Sequence, residues 1–229
     1  MTHNIPAVLY EDNHIIIVNK RSSDLVQGDS TGDEPLDDIV REYVRKKYNK
    51  PGEVFLGVVH RLDRPVSGCV VYARTSKALS RLSELFRTRQ VKKIYWAIVS
   101  VRPLAEEGTL QHYLKKNEKQ NKSYVYAREV KGSKEAELSY RVLARSERYY
   151  LLEVDLHTGR HHQIRAQLAA AGCPVKGDLK YGSKRSNDGG GISLHARRVT
   201  FPHPVKNEEV MVEAPLPDDR VWQLFRDIK

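Results

Sequence analysis

Between residues 93 and 156 the sequence reads as one strand after another with no helical segment between them, and this succession constrains the fold more than any other feature. Runs at 93–101, near 110–114, and at 124–130, 137–142 and 149–156 are rich in β-branched and aromatic residues. Short turns fit their connections better than crossover helices do, which implies antiparallel neighbours.

The flanking regions add helices to this sheet. Residues 14–18 carry three consecutive isoleucines and a valine and read as a buried strand. Leu36, Ile39, Val40, Tyr43 and Val44 recur at helical spacing, with Asp33 placed to cap, Pro35 suited to the first turn, and an end before Pro51. Strand-like runs at 54–59 and 69–73 enclose the polar segment 60–68, which is therefore a loop held between strands. Ser76 is placed to cap a second helix with Leu79, Leu82, Leu85 and Phe86 on one face and Lys77, Arg81, Arg87 and Arg89 around the rest. A third helix over about 162–171 stops at Gly172, with Pro174 beyond it. Gly189-Gly190-Gly191 marks a loop, and 194–201 and 210–212 read as closing strands. No linker, low-complexity tract or repeat interrupts the pattern. The expected architecture is one α+β domain over residues 1–229, with a mixed, largely antiparallel central sheet and flanking helices.

A chain of 229 residues with 40% hydrophobic content can fill a real core, and 39 Lys and Arg against 29 Asp and Glu leave a net charge of +10. That surplus favours a polyanionic partner, although a basic composition also describes an ordinary solvated surface, so the placement of charge has to decide. Cys69 and Cys173 lie far apart, and the opening residues lead into no apolar signal segment, which points to free thiols in a reducing cytoplasm. Charged residues interrupt every hydrophobic stretch before the ~18 residues a membrane span needs, so a soluble protein is expected.

Three constellations can carry chemistry. Asp63 lies between Arg61 and Arg64, directly ahead of Pro65 and Gly68. Loops of this kind present side chains to clefts, and a close guanidinium lowers an aspartate pKa by about 1 to 3 units, giving a permanently ionised base or nucleophile. The plainer reading is an aspartate that caps a turn or pairs on the surface. In the second constellation, residues 156–165, a strand passes through a Gly159 turn into a helix. Arg160 and Arg165 are placed there to form an anion cradle at the helix start. His157, His161 and His162 also invite a metal reading, but the set straddles a turn and has no Cys or Glu to complete a usual motif. In the third, Tyr95 and Trp96 face opposite sides of a strand, so one ring packs and the other, beside Lys92 and Lys93, is available to stack a base. Packing of both rings is the alternative.

Taken in order, these segments resemble one family. His60-Arg61-Leu62-Asp63-Arg64 with Ser67-Gly68, Lys93-Ile94-Tyr95, Gly159-Arg160 with His162-Gln163-Ile164-Arg165, and Gly177-Asp178 with Tyr181-Gly182 are similar to the motif set of RluA-type pseudouridine synthases. Leu9-Tyr10-Glu11-Asp12 with Val18-Asn19-Lys20, and Leu194-His195-Ala196-Arg197 followed by His203-Pro204, extend the resemblance over nearly the whole chain. The resemblance implies the pseudouridine synthase fold with a central RNA-binding cleft. It also implies isomerisation of chosen uridines in folded ribosomal or transfer RNA. By motif, the catalytic aspartate falls on Asp63, the active-site tyrosine on Tyr95, and the arginine that pairs with the aspartate on Arg165. Arg61, Arg64, Arg160 and Lys93 are then expected to meet RNA.

His161 stands where the commonest family form has Thr, and Gln167 where many members have His, which bears on local RNA contacts. The sequence begins with the catalytic domain's opening motif and without an S4 domain, so RNA selection is expected to lie in the catalytic domain or a partner. The expected partner is structured RNA, with no membrane, no obligatory protein partner, and a monomeric state. No metal or other cofactor is expected, in keeping with the lack of a dinucleotide or phosphate-loop motif. The competing class is a non-catalytic RNA-binding or assembly protein on the same scaffold. A lost carboxylate would mark it, and Asp63 is present.

Overall fold

The computed structural model describes residues 6–28 and 32–228. Along the chain run β1 (Val8–Glu11), β2 (Ile15–Lys20), α1 (Leu36–Lys47), β3 (Gly57–Val58), β4 (Ser67–Ala73), α2 (Ser76–Arg87) and β5 (Lys92–Val99). They are followed by β6 (Glu107–Asn117), β7 (Lys122–Tyr126), β8 (Lys134–Arg145), β9 (Tyr150–Leu156) and α3 (Gln163–Ala170). A 3-10 turn at Leu179–Tyr181, β10 (Leu194–Pro202), β11 (Glu209–Glu213) and α4 (Arg220–Gln223) complete the chain. These elements form two compact units. The first comprises Met1–Val91 and Arg197–Pro215, and the second Lys92–Ala196 and Leu216–Lys229.

In the first unit β2 is paired antiparallel with β1 on one side and β4 on the other, and Ile15 to Val18 are fully buried. A strand covered on both faces needs apolar residues at every position, which explains the unbroken β-branched run. Ile15, Ile17, Cys69, Val71 and Ala73 face a cluster closed by Ala78 and Leu82 of α2 and by Val199, Phe201, Val210 and Val212 of the paired β10 and β11. From the opposite face of β4, Tyr72 donates a hydrogen bond to Val26 O at 2.9 Å.

The expected helices form here, with different caps. Pro35 occupies the N-cap of α1 without a side-chain hydrogen bond, and Asp33 instead takes an ion pair with Arg64 at 2.6 Å. Thr75, not Ser76, caps α2 by accepting from the Ala78 N–H at 3.1 Å. The strand expected at 54–59 shrinks to Gly57–Val58. A Cβ at Gly57 would lie 2.8 Å from the Leu79 side chain, so β3 passes close against α2.

In the second unit the strand order is β5-β9-β8-β6-β7, and every neighbouring pair is antiparallel. The succession of strands without crossover helices gives the sheet that the sequence implied. β6 and β8 run longer than their apolar cores because Glu107↔Arg141 through Leu114↔Lys134 remain in register, and backbone pairing does not need apolar side chains. Ile94, Trp96 and Ile98 pack on one face with Leu151, Trp222 and Phe225, so the C-terminal α4, which no periodicity announced, buries Trp222 there. The other face is covered by α3, where Ala166 meets Leu114, Ala136 and Tyr181. Among the described residues no helix is long and apolar enough to cross a membrane.

Candidate active site

Each unit builds part of the chemistry that the sequence singled out. In the first, the loop bearing Asp63 is fixed by its backbone. His60 accepts the Val71 N–H on Nε2 at 3.0 Å and stacks on Phe86 at 4.8 Å between centroids, tying the loop's entrance to β4 and α2. Leu62 is buried, and Asp63 O accepts the Val66 N–H at 2.9 Å across a turn with Arg64 and Pro65 at its corner.

Beneath this turn sits Lys20, fully buried, with Nζ donating to Arg64 O at 2.9 Å, Val66 O at 2.6 Å and Arg21 O at 2.9 Å. An ammonium has three donors, and all three are used on main-chain carbonyls. Burial pulls the Lys20 pKa down to about 8, against the opposing pull of the Asp24 and Asp63 charges. Opposite Lys20 in the β2–β4 register, Gly68 has φ +113°, which a side-chain-bearing residue rarely adopts; this explains the Ser67-Gly68 pair. The outcome is a half-buried Asp63 on a main chain that cannot readily shift. Arg61 is exposed, whereas Arg64 gives Nη2 to Asp33 at 2.6 Å and Nε to Ser23 O at 3.1 Å.

In the second unit the register places Tyr95 on the α3 face. Tyr95 pairs with Val154 and Val154 with Tyr140, on the same side as Leu138 and Ala136. Lys93 shares that side, and its Nζ lies 3.7 Å from the position of a Cβ built on Gly159. The sheet thus brings Lys93, Tyr95 and the Gly159 turn to one face. Tyr95 is 8% and Trp96 4% exposed, so neither ring is displayed on a surface.

The arginines expected to share a helix-start cradle are held by different acceptors. Arg160 gives Nε to Glu135 O at 2.7 Å, and its N–H is taken by Gln163 Oε1 at 2.9 Å. Arg165 is buried and grips Asp178 with two hydrogen bonds, Nε to Oδ2 at 2.6 Å and Nη2 to Oδ1 at 3.0 Å. Its guanidinium carbon also lies 5.2 Å from the centroid of the Tyr181 ring. The Tyr181 hydroxyl accepts the Ser123 N–H at 2.8 Å and lies 3.0 Å from His162 Nδ1. Burial first, then the Arg165 charge, drives the His162 pKa down to about 2, so the ring beside the Tyr181 hydroxyl is neutral.

The other two histidines of the run are engaged locally. His157 Nε2 lies 3.0 Å from Ser139 Oγ, and His161 is 2.9 Å from Ser123 Oγ and 3.0 Å from Asn121 Oδ1. Among the described residues no group of three or more His, Cys, Asp or Glu is placed to hold a metal.

Sequence reasoning from the residues missed Lys20, His60, Asp178, Tyr181 and His162 as the groups that fix the candidates in place. Their only signal was membership of short motifs, since burial of a lysine or of an arginine–aspartate pair leaves no periodic trace.

An antiparallel α+β fold carrying a clamped aspartate loop, a buried tyrosine and a carboxylate-locked arginine fits an RNA-modifying enzyme. The profile described as RNA pseudouridylate synthase matches residues 14–170, and the chain belongs to that family of pseudouridine synthases. The tRNA pseudouridine synthase C of Vibrio parahaemolyticus is 33% identical over 236 residues, covering 95% of this chain and 93% of its own. The ribosomal large subunit pseudouridine synthase D of Xylella fastidiosa is 34% identical over 226 residues, covering 93% and 66%. Among solved structures, human RNA pseudouridylate synthase domain containing 4 matches with a TM-score of 0.82 at 25% identity, covering 96% of this chain and 92% of that one. The family drawn from the motifs is thereby borne out.

Proposed function

We propose that this enzyme converts selected uridines of ribosomal or transfer RNA to pseudouridine, with Asp63 as the catalytic carboxylate. The observation that carries this reading is the Asp63 loop, whose carbonyls are held from beneath by Lys20 while the carboxylate itself stays half-buried. The activities for which the relatives above are named supply the two RNA classes.

In the reaction the bond from the ribose C1′ to uracil N1 breaks, the base turns while held, and C5 bonds to C1′. The C5 proton is then lost and N1 gains one. No atom or electron is exchanged overall, so the stoichiometry requires no redox or nucleotide cofactor. Glycosidic cleavage builds positive charge on the sugar, and a fixed carboxylate stabilises that charge, adds to the sugar, or takes its 2′ proton. The target nucleotide must leave its stack, at a cost of a few kcal/mol, and Tyr95, the tyrosine that the family motif assigns to the site, meets the extruded base with the small part of its ring left uncovered. Arg165 is a fixed cation of the second unit, its orientation set by Asp178. Arg61 and Lys93 meet RNA phosphates. Arg64 and Arg160 meet them with the donors that Asp33 and Glu135 O leave over. The enzyme works in the cytoplasm as a monomer.

The test is tritium release from RNA labelled at C5 of uridine, comparing the wild type with Asp63→Asn. Loss of at least a thousandfold in rate, with unchanged thermal unfolding, is expected because the neutral amide neither stabilises nor attacks a cationic sugar. Equal release by the two proteins removes Asp63 from its role.

A further inference from the structure

The β6–β7 hairpin and the turn that follows it carry half of the chain's surplus charge and are absorbed by nothing described so far. Residues 113–134 hold seven Lys and Arg against two Glu. The hairpin register alternates between two faces. Leu114↔Val125 and Lys116↔Ser123 include the buried Leu114 and Ser123, whereas Tyr113↔Tyr126, Lys115↔Tyr124 and Asn117↔Lys122 share the opposite face. On that face Tyr124 and Tyr126 are 40% and 37% exposed, and Lys122 Nζ lies 5.7 Å from the centroid of the Tyr124 ring.

What separates this segment from the basic helix α1 is the state of its charges. Every cation of α1, namely Arg41, Arg45, Lys46 and Lys47, has a carboxylate partner in Asp37, Asp38, Glu42 or Glu11. In the hairpin only Lys116 is ion-paired, with Glu118 at 2.6 Å, and among the described residues Lys115, Lys119, Arg128, Lys131 and Lys134 have no carboxylate partner. Self-neutralised cations release few counterions on meeting a polyanion, whereas unpaired ones contribute fully. Exposed tyrosines beside such cations form the usual platform for unpaired bases.

We propose that the outer face of the β6–β7 hairpin is a docking surface for a single-stranded or looped RNA segment flanking the target uridine. The unpaired cations hold the phosphates, and Tyr124 stacks a base. This rests on the reading of the chain as an RNA-modifying enzyme and adds where the RNA is held outside the uridine pocket.

The experiment measures affinity against salt for a transcribed tRNA and for a short uridine-containing single strand. Three proteins are compared: wild type, a triple variant with Lys115→Gln, Lys119→Gln and Lys131→Gln, and a control with Arg45→Gln and Lys46→Gln in α1. All five side chains are exposed, so the fold is retained. The triple variant is expected to bind both RNAs at least tenfold more weakly in low salt, with a slope shallower by roughly 0.7 for each phosphate that is no longer held. The α1 control is expected to match the wild type. Tyr124→Ala should weaken binding roughly fivefold or more without changing the salt slope. Unchanged affinity and slope in the triple variant overturn the surface, and the enzymatic reading stands if tritium is still released. A hairpin-dependent slope in a wild type that isomerises no uridine instead overturns the enzymatic reading and keeps the surface.

Discussion

Lys20 and Arg165 are both buried cations, at 0% and 5% exposure, one in each unit of the molecule. They are satisfied by different chemistry. Lys20 is surrounded by carbonyl oxygens and, among the described residues, has no carboxylate in direct contact, whereas Arg165 is locked to Asp178 by two charge-assisted bonds. A carbonyl cage holds backbone, so Lys20 fixes the path of the loop and leaves the Asp63 side chain to other work. A carboxylate fork holds a side chain, so Asp178 fixes the aim of the Arg165 guanidinium. The lysine also remains able to give up its proton, whereas an arginine cannot at any pH where the protein is folded.

The largest effect expected from this contrast is on Asp178. Asp178→Asn takes from a buried guanidinium the carboxylate charge that grips it through two hydrogen bonds and should cost about 3 to 5 kcal/mol of stability in urea unfolding. If it costs no more than Lys20→Met at pH 7, the distinction between the two cations fails.

The second prediction concerns pH. Unfolded Lys20 keeps its proton to about pH 10.5, while the folded lysine releases it near pH 8. Between these values the unfolded state binds more protons, so raising the pH favours the native state. The stability of the wild type relative to Lys20→Met should therefore climb by on the order of 3 kcal/mol from pH 8 to 10.5, and be constant below pH 8. A difference that stays level across that window shows that the carbonyls hold the folded lysine protonated against burial, and sinks the lowered pKa.

The third effect is at His162, beside Arg165, whose folded pKa lies near 2 against an ordinary 6.5. Its contribution is complete above pH 6.5 and is lost on acidification, when the unfolded ring takes a proton that the folded one refuses. Wild type should lose stability faster than His162→Gln as pH falls from 6.5 to 4, by less than about 1.4 kcal/mol per pH unit, the one-proton limit. Parallel acid profiles would show that the folded ring takes up its proton together with the unfolded one, and would remove the burial effect on His162.

Much of the fold was legible because it rests on short-range pattern. The run at Ile15–Val18, the helical spacing from Leu36 to Val44, and the antiparallel succession from β5 to β9 follow from side-chain periodicity. Caps and short edges were less so. Asp33 has the chemistry of a cap and sits near a helix start, but Arg64, which lies 31 residues on, takes it in an ion pair. Thr75 displaces Ser76 because one residue decides which hydroxyl meets the Ala78 N–H. The pairing of Tyr95 and Trp96 on opposite faces was readable, but not the covering of both.

The sequence by itself determined which residues are chemically eligible: an aspartate in a polar loop between strands, a tyrosine on an alternating strand, and an arginine on a helix after a glycine turn. It also determined the family, through motif order. Only the tertiary structure decided what holds each of them. The anchors come from distant parts of the chain: Lys20 reaches carbonyls at 64 and 66, Asp178 reaches back 13 residues, and Tyr181 meets Ser123 across 58. Such contacts exist only once the sheets have set the register, because a hydrogen bond requires two groups within about 3 Å and sequence spacing does not encode distance between separate elements.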